Sequence, residues 1–394
     1  MATFQKVRIK DICKINPDSI GRNFNHKMIE YVDISSVGIG NLAETQEVDI
    51  QNSPSRAKRL VKSGDIIIST VRPNRRSFFY FKNPKENTVV STGFAVLRAL
   101  ENNNPRYLYY SVTDQSFTAY LTKNAKGSAY PAVDADIIYD GEVFVPENIE
   151  TQTCIASVLS AYDDLIENNE KRIKRLEEMA QLLYTEWFVK FKFPGHEKSK
   201  MVDSGTEYGK IPQGWEVKKL VEVSDVMFGF NFKSNKFADN GEGVRVVRIR
   251  DVLDGITNTF TSESPGKKYE INCGDLLIGM DGIFHMKMWF VPACCLNQRV
   301  ARIRSILPTQ FIYESIKKEL SRFQKTIVGA TVGHLANGNV KGFELLVPSD
   351  QKMTQPFQLI TELILNMRSR SLVLQQTRDL LIPQLVTGRR EVRV

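Results

Sequence analysis

The chain has 394 residues, 53 Lys and Arg against 45 Asp and Glu, a formal charge of +8, 42% hydrophobic and 25% charged residues. That length holds two or three domains each able to bury a core, and the composition excludes wholesale disorder and collagen-like repeats. Five scattered cysteines and four histidines, with no Cys-x-x-Cys pair, leave no disulfide scaffold or zinc site to expect.

In chain order, one pattern appears twice. Phe4-Gln-Lys-Val-Arg-Ile-Lys-Asp-Ile-Cys-Lys-Ile15 aligns with Trp215-Glu-Val-Lys-Lys-Leu-Val-Glu-Val-Ser-Asp-Val226, with Ile9, Ile12 and Ile15 facing Leu220, Val223 and Val226. Tyr31 to Val37 aligns with Val246 to Val252. Lys62-Ser-Gly-Asp-Ile-Ile-Ile-Ser69 aligns with Asn272-Cys-Gly-Asp-Leu-Leu-Ile-Gly279, each a Gly-Asp turn feeding a buried apolar strand. Thr92 to Arg98 aligns with Gln298 to Arg304, and the spacing of Gly127 and Pro146 equals that of Gly329 and Pro348. Blocks in the same order mark an internal duplication.

Each copy is followed by a helical stretch. Glu150 to Phe191 lacks Pro and Gly and steps through Leu159, Tyr162, Ile166, Asn169, Ile173, Leu176, Ala180, Leu183 and Trp187. This is a heptad seam with one polar interruption, on a rod of roughly 60 Å. The second stretch steps through Phe357, Ile360, Ile364, Met367, Ser371, Leu374, Arg378, Leu381 and Leu385, so its polar interruption falls at the equivalent place. Pro383 is expected to kink or end this helix, because it lacks an N–H and clashes with the preceding turn. The spacing predicts domains at 1–149 and 215–348, helices at 150–192 and 349–394, and a Gly- and Pro-punctuated linker at 193–214. The fold class expected is α+β: two α/β domains separated by two long helices that pair as an antiparallel coiled coil with pseudo-two-fold symmetry. Asn169 and Ser371 would meet near the seam midpoint and set its register.

At this level of detail the sequence resembles the specificity subunits of type I restriction–modification systems. The resemblance is carried by Gln152-Thr-Cys-Ile-Ala-Ser-Val-Leu-Ser-Ala-Tyr-Asp-Asp-Leu-Ile onward to Val189, by Gly209-Lys-Ile-Pro-Gln-Gly-Trp-Glu-Val-Lys-Lys-Leu220, and by Thr377-Arg-Asp-Leu-Leu-Ile-Pro-Gln-Leu-Val-Thr-Gly388. It implies a non-catalytic subunit whose two target recognition domains each read one half of a bipartite, asymmetric site in double-stranded DNA. It further implies docking of two methyltransferase subunits, with restriction translocase–nuclease subunits joining them. S-adenosylmethionine, ATP and magnesium would belong to those partners, leaving this chain with no cofactor of its own.

The residues themselves agree on what is missing. There is no Asn/Asp-Pro-Pro-Tyr/Phe methyltransferase motif, no phosphate-binding loop and no Gly-x-Ser-x-Gly elbow, and Gly38-Ile-Gly40 continues as Asn-Leu-Ala-Glu. No catalytic residue and no metal ligand is therefore expected. With no apolar stretch at the N-terminus and no uninterrupted membrane span, the expected address is the cytoplasm. The rival readings are a stand-alone DNA-modifying or DNA-cleaving enzyme and a coiled-coil adaptor without DNA specificity.

DNA reading needs cations for phosphates and forked side chains for base edges. In the first domain Arg72, Asn74, Arg75 and Arg76 follow the Gly-Asp strand, and Lys126, Ser128 and Tyr130 form a second loop. The alternative is two solvated loop tips. Arg56, Lys58 and Arg59 form a basic cluster that could equally be plain surface. In the second domain Asp281, Phe284, His285 and Lys287 occupy the matching turn, followed by Lys325 and His334. Asp281 either accepts from a cytosine amino group or caps the turn. Arg248 is a phosphate-contact candidate on an expected strand, where it and Arg250 could also simply face solvent. Asp163 and Asp164 read as solvated or docking residues on a charged helix face, and Glu177, Glu178 and Glu186 as either a docking or a solvated face.

Overall fold

A computed structural model of the chain describes residues 3–21, 24–43, 45–128, 130–239, 241–326 and 333–392. It divides into two compact units, residues 1–166 with 373–394, and residues 167–372.

In the first unit a four-stranded antiparallel sheet has the order Cys13–Ile15, Phe94–Ala99, Ile66–Ser69, Phe78–Tyr80. A second sheet has the order Gln46–Asp49, Met28–Val32, Thr88–Ser91, Ala57–Leu60, with a parallel pair at its centre. Phe4–Arg8 pairs with Glu142–Pro146. The second unit repeats the plan. Its four-stranded sheet is ordered Ser224–Phe228, Val300–Ser305, Leu276–Gly279, Met286–Met288. Its mixed sheet again has a central parallel pair, Val244–Val247 with Cys294–Leu296, and Glu216–Lys219 pairs with Glu344–Val347.

The apolar runs after each Gly-Asp turn lack the polar alternation of a one-sided strand because both faces are covered. Ile66 and Ile68 enter one cluster and Ile67 another; Leu276 and Ile278 likewise part from Leu277. The turn aspartates hold the frame. Asp65 accepts from Arg98 Nε and Nη2 at 2.7 and 2.6 Å and from the Lys62 amide at 2.7 Å. Asp275 accepts from Arg304 Nε and Nη2 at 2.8 and 2.7 Å and from the Asn272 amide at 2.7 Å. Both carboxylates are buried, and both arginines come from the aligned blocks. The duplicated sequence is therefore a duplicated fork-to-fork ion pair.

The central helix runs Ile149–Tyr184 and continues as a π-helical turn, Thr185–Val189. The C-terminal helix runs Gln355–Val386. In the first unit, Ile155, Ala156 and Leu159 pack with Ile382, Leu385 and Val386. In the second, Ile173, Ala180 and Phe188 pack with Phe357, Ile360 and Ile364. Within each unit the segments run antiparallel, as the ion pairs Asp163–Arg378 and Glu170–Arg368 require. Asn169 Nδ2 donates to Ser371 Oγ at 3.1 Å.

Two expectations need correction. Of the two effects expected of Pro383, a kink or an end, it does not end the helix at once: the helix stops three residues later, at Val386. Three residues from the end, the missing proline N–H costs one ladder bond in a turn already fastened by tertiary packing. Asp163 is not a solvated side chain. Its carboxylate is only 12% exposed and accepts from Arg106 Nη2 at 2.6 Å, Arg378 Nη1 at 2.7 Å and the Tyr110 hydroxyl at 2.5 Å. A carboxylate excluded from water has to be paired in this way. Asp164 does face solvent, where it meets Lys82.

Candidate nucleic-acid interface

In the first unit the strand Ile66–Ser69 leads into a turn made by Pro73–Arg75. Arg72 and Arg76, which flank it, both have left-handed backbone, at φ 49° and 56°. For non-glycine residues this costs roughly 1–3 kcal/mol each and persists only where surroundings impose it. Here the turn is zipped to the second loop. The Arg72 amide donates to Pro131 O at 2.7 Å, the Val133 amide to Thr70 O at 2.9 Å, and Lys126 and Ala132 exchange backbone bonds. The two sequence-predicted loops thus form one surface. Tyr130, 64% exposed, carries the Arg72 guanidinium 4.3 Å from its ring centre, a cation–π stack. Asn74, Arg75, Lys126 and Ser128 are exposed beside it, with Lys126 3.6 Å from Asp134. Arg76 is more committed, donating from Nη2 to Thr113 O at 2.9 Å. Asn74 and Arg76 line a cleft against Gln115 and Lys123 of the helix Gln115–Asn124.

The second unit builds the same zip. The Gly282 amide donates to Gly333 O at 2.9 Å and the Leu335 amide to Met280 O at 2.8 Å, with Asp281 and His334 bridged as Val71 and Ala132 are. Its side chains differ entirely. Asp281 accepts from Arg299 Nε at 2.6 Å and, through Oδ1, from Arg299 Nη2; His334 Nδ1 lies 2.8 Å from Oδ1. The Arg299 guanidinium, with His334 beside it, holds the Asp281 carboxyl below its ordinary range. Arg248, Arg250, Asp281, His285 and Arg299 line one cleft with Ile283, which is 66% exposed.

Several second-unit candidates stand differently from expectation. Phe284 is buried at 6% exposure and packs on Phe323, so it anchors the turn from inside. Lys287 donates to Leu253 O at 3.0 Å, holding the carbonyl end of the helix Ile249–Asp254. Arg248 and Arg250 do not alternate on a strand. The strand stops at Val247, Arg248 precedes the helix with Nε 3.3 Å from Asp251, and Arg250 is on the helix. Asp281 does not cap its turn, because its oxygens serve Arg299 and His334. Lys325 is exposed near the end of the helix Thr309–Thr326, and the loop that was to follow, with Gly329, lies outside the described residues. In the first unit, Lys58 is exposed while Arg59 is half-buried. Among the described residues no cluster of His, Cys, Asp or Glu could hold a metal ion, and no helix is long and apolar enough to cross a membrane.

Arg299 escaped the sequence reading. It lies 18 residues from Asp281 and 35 from His334, in the turn just before the strand Val300–Ser305. The available signal was a mismatch inside a matched block, glycine at position 93 against arginine at 299.

Residues 1–178 and 212–366, which carry the two frames and their loops, match the family model described as the type I restriction modification DNA specificity domain. The chain belongs to this family. As such it is the DNA specificity subunit of a type I restriction–modification system, non-catalytic by family, with cofactors that belong to partner subunits. It is 26% identical over 351 residues to the MjaIX specificity subunit of Methanocaldococcus jannaschii, covering 85% of this chain and 79% of that one. It is 23% identical to the HindI specificity subunit of Haemophilus influenzae, covering 98% of this chain and all of that one. The fold is that of the type I restriction–modification S subunit from M. genitalium, at a TM-score of 0.52 and 14% identity, covering 98% and 96% of the two chains.

Proposed function

We propose that this specificity subunit reads a bipartite, asymmetric target in double-stranded DNA, one half-site per domain. The domains are 1–149 and 215–348; helices 150–192 and 349–394, with the linker 193–214, fix the gap and dock two methyltransferase subunits in the cytoplasm. Restriction translocase–nuclease subunits join that assembly. The observation that carries this reading is the loop zip built twice on one frame with unlike side chains: guanidiniums, an amide and a stacked tyrosine in the first unit, an Arg–Asp–His cluster in the second. Two equal frames bearing different donors and acceptors suit two different half-sites. In the first unit Arg72, Asn74, Arg75, Arg76, Lys126, Ser128 and Tyr130 make the contacts. In the second the contact surface is built by Arg248, Asp281, His285, Lys325 and His334.

The test is selection from random duplex DNA with the full chain bound to its methyltransferase partner. Enriched sequences should hold two unlike half-sites at one fixed gap. Changing Asn74 and Arg75 to alanine should relax one half-site and leave the other intact. Enrichment of a single contiguous site, or none, would overturn the reading.

A further inference from the structure

The two frames can be superposed in sequence by their backbone bonds. Thr70 N donates to Gly93 O at 2.9 Å, and at the equivalent place Met280 N donates to Arg299 O at 3.0 Å. The zip equates Val71 with Asp281 and Ala132 with His334. Three neighbouring positions are therefore Val, Ala and Gly in the first domain and Asp, His and Arg in the second. A Cβ on Gly93 would lie 2.1 Å from Ile34 Cδ1, so the Ile34 side chain fills the place in the first domain that Arg299 takes in the second. All three substitutions fall on the loop-bearing edge and together make one bonded cluster, while the buried Asp–Arg pair below them is the same in both domains.

The cluster aims one group outward. Asp281 takes up Nε and Nη2 of Arg299, which leaves both N–H groups of Nη1 without a protein partner among the described residues. Arg299 and Asp281 are 31% and 29% exposed, and both line the cleft with Arg248 and His285. A guanidinium for phosphate gains nothing from a carboxylate at its side, since that carboxylate repels the phosphate. A guanidinium for a base edge gains a fixed orientation from the same carboxylate, and a nearly neutral pair sits easily against bases.

We infer that Arg299, oriented by Asp281 and His334, is the specificity-determining residue of the second domain and donates from Nη1 to a major-groove acceptor of a guanine in its half-site. This rests on the bipartite reading given above. Asp281 and His334 are then positioning residues, and neither touches the base.

The test uses the full chain with its methyltransferase partner and duplexes in which single positions of the selected target are replaced. R299A should cut discrimination for guanine at one position of one half-site by about tenfold or more. Discrimination at the other half-site should be unchanged, which also certifies that the variant is folded. D281N, which keeps the shape but loosens the guanidinium, should give an intermediate loss at that same position. R299K keeps the charge without the fork and should not restore the preference. If R299A instead weakens all sequences equally and lowers the salt dependence by about one counterion, Arg299 is a phosphate contact and the inference fails. No change at any position also overturns it. A wild-type target without two half-sites would be a failure of the bipartite reading, visible before any variant is made.

Discussion

At the scale of single residues, the frame depends on the buried carboxylates of Asp65 and Asp275. Each accepts two guanidinium bonds and one backbone amide, so removing either carboxylate takes the acceptor from three donors at once, although Arg98 keeps Asp18 at 2.7 Å. D65A is expected to lower the stability of the first unit by about 2 kcal/mol, since the Lys62 amide and two guanidinium N–H groups lose their acceptor while Arg98 keeps Asp18. Urea unfolding with a fluorescence probe in each unit checks this; an unchanged midpoint would show the pair to be dispensable. Asp281 gives a pH signature. Its pKa is held down, chiefly by the Arg299 hydrogen bonds, so its stabilisation is present at neutral pH and is lost as pH falls through its depressed folded value. D281N should therefore be less stable than the parent at pH 7, with the difference closing in acid below the ordinary carboxylate pKa of about 4. A gap between the two that stays constant through that range would show that the carboxylate charge is not what stabilises.

At the scale of elements, much could be read from the sequence, and the failures have physical causes. Helix seams were legible because a 3.5-residue period records burial directly, and Leu159, Ile173 and Ala180 are all buried. The Asn169–Ser371 bond was legible because both helices break their seam at the same place. Asp163 was misread because a charge on a polar helix face gives no sign that Arg106 and Arg378 converge on it from other elements. Phe284 was misread because a six-residue turn between strands does not reveal which side chains point inward, and the reach of Lys287 to Leu253 O joins positions 34 residues apart that no local pattern connects. The register pair yields its own prediction. N169L should raise the thermal midpoint, because a partly buried amide becomes apolar, yet weaken selection for one fixed register. Disulfide trapping between cysteines placed at 173 and 367, one turn along each helix from the Asn169–Ser371 bond, should then be joined by one-heptad-shifted pairs. Trapping confined to the native pair would show that Asn169 does not set register.

At the scale of the whole molecule, duplication is what the proposed reading uses to make one chain an asymmetric reader. The Gly-Asp turns, the parallel strand pairs and the loop zips are shared, and the differences gather at the loop-bearing edges. Folding and reading are thus carried by different residues, and one can change without the other. The most direct test is methylome sequencing of a host carrying this subunit with its modification partner, against the same host lacking only this subunit. The account predicts a bipartite motif, methylated on both strands, that is present in the first host and absent from the second. Identical methylomes, with the subunit expressed and assembled with its partner, would contradict it.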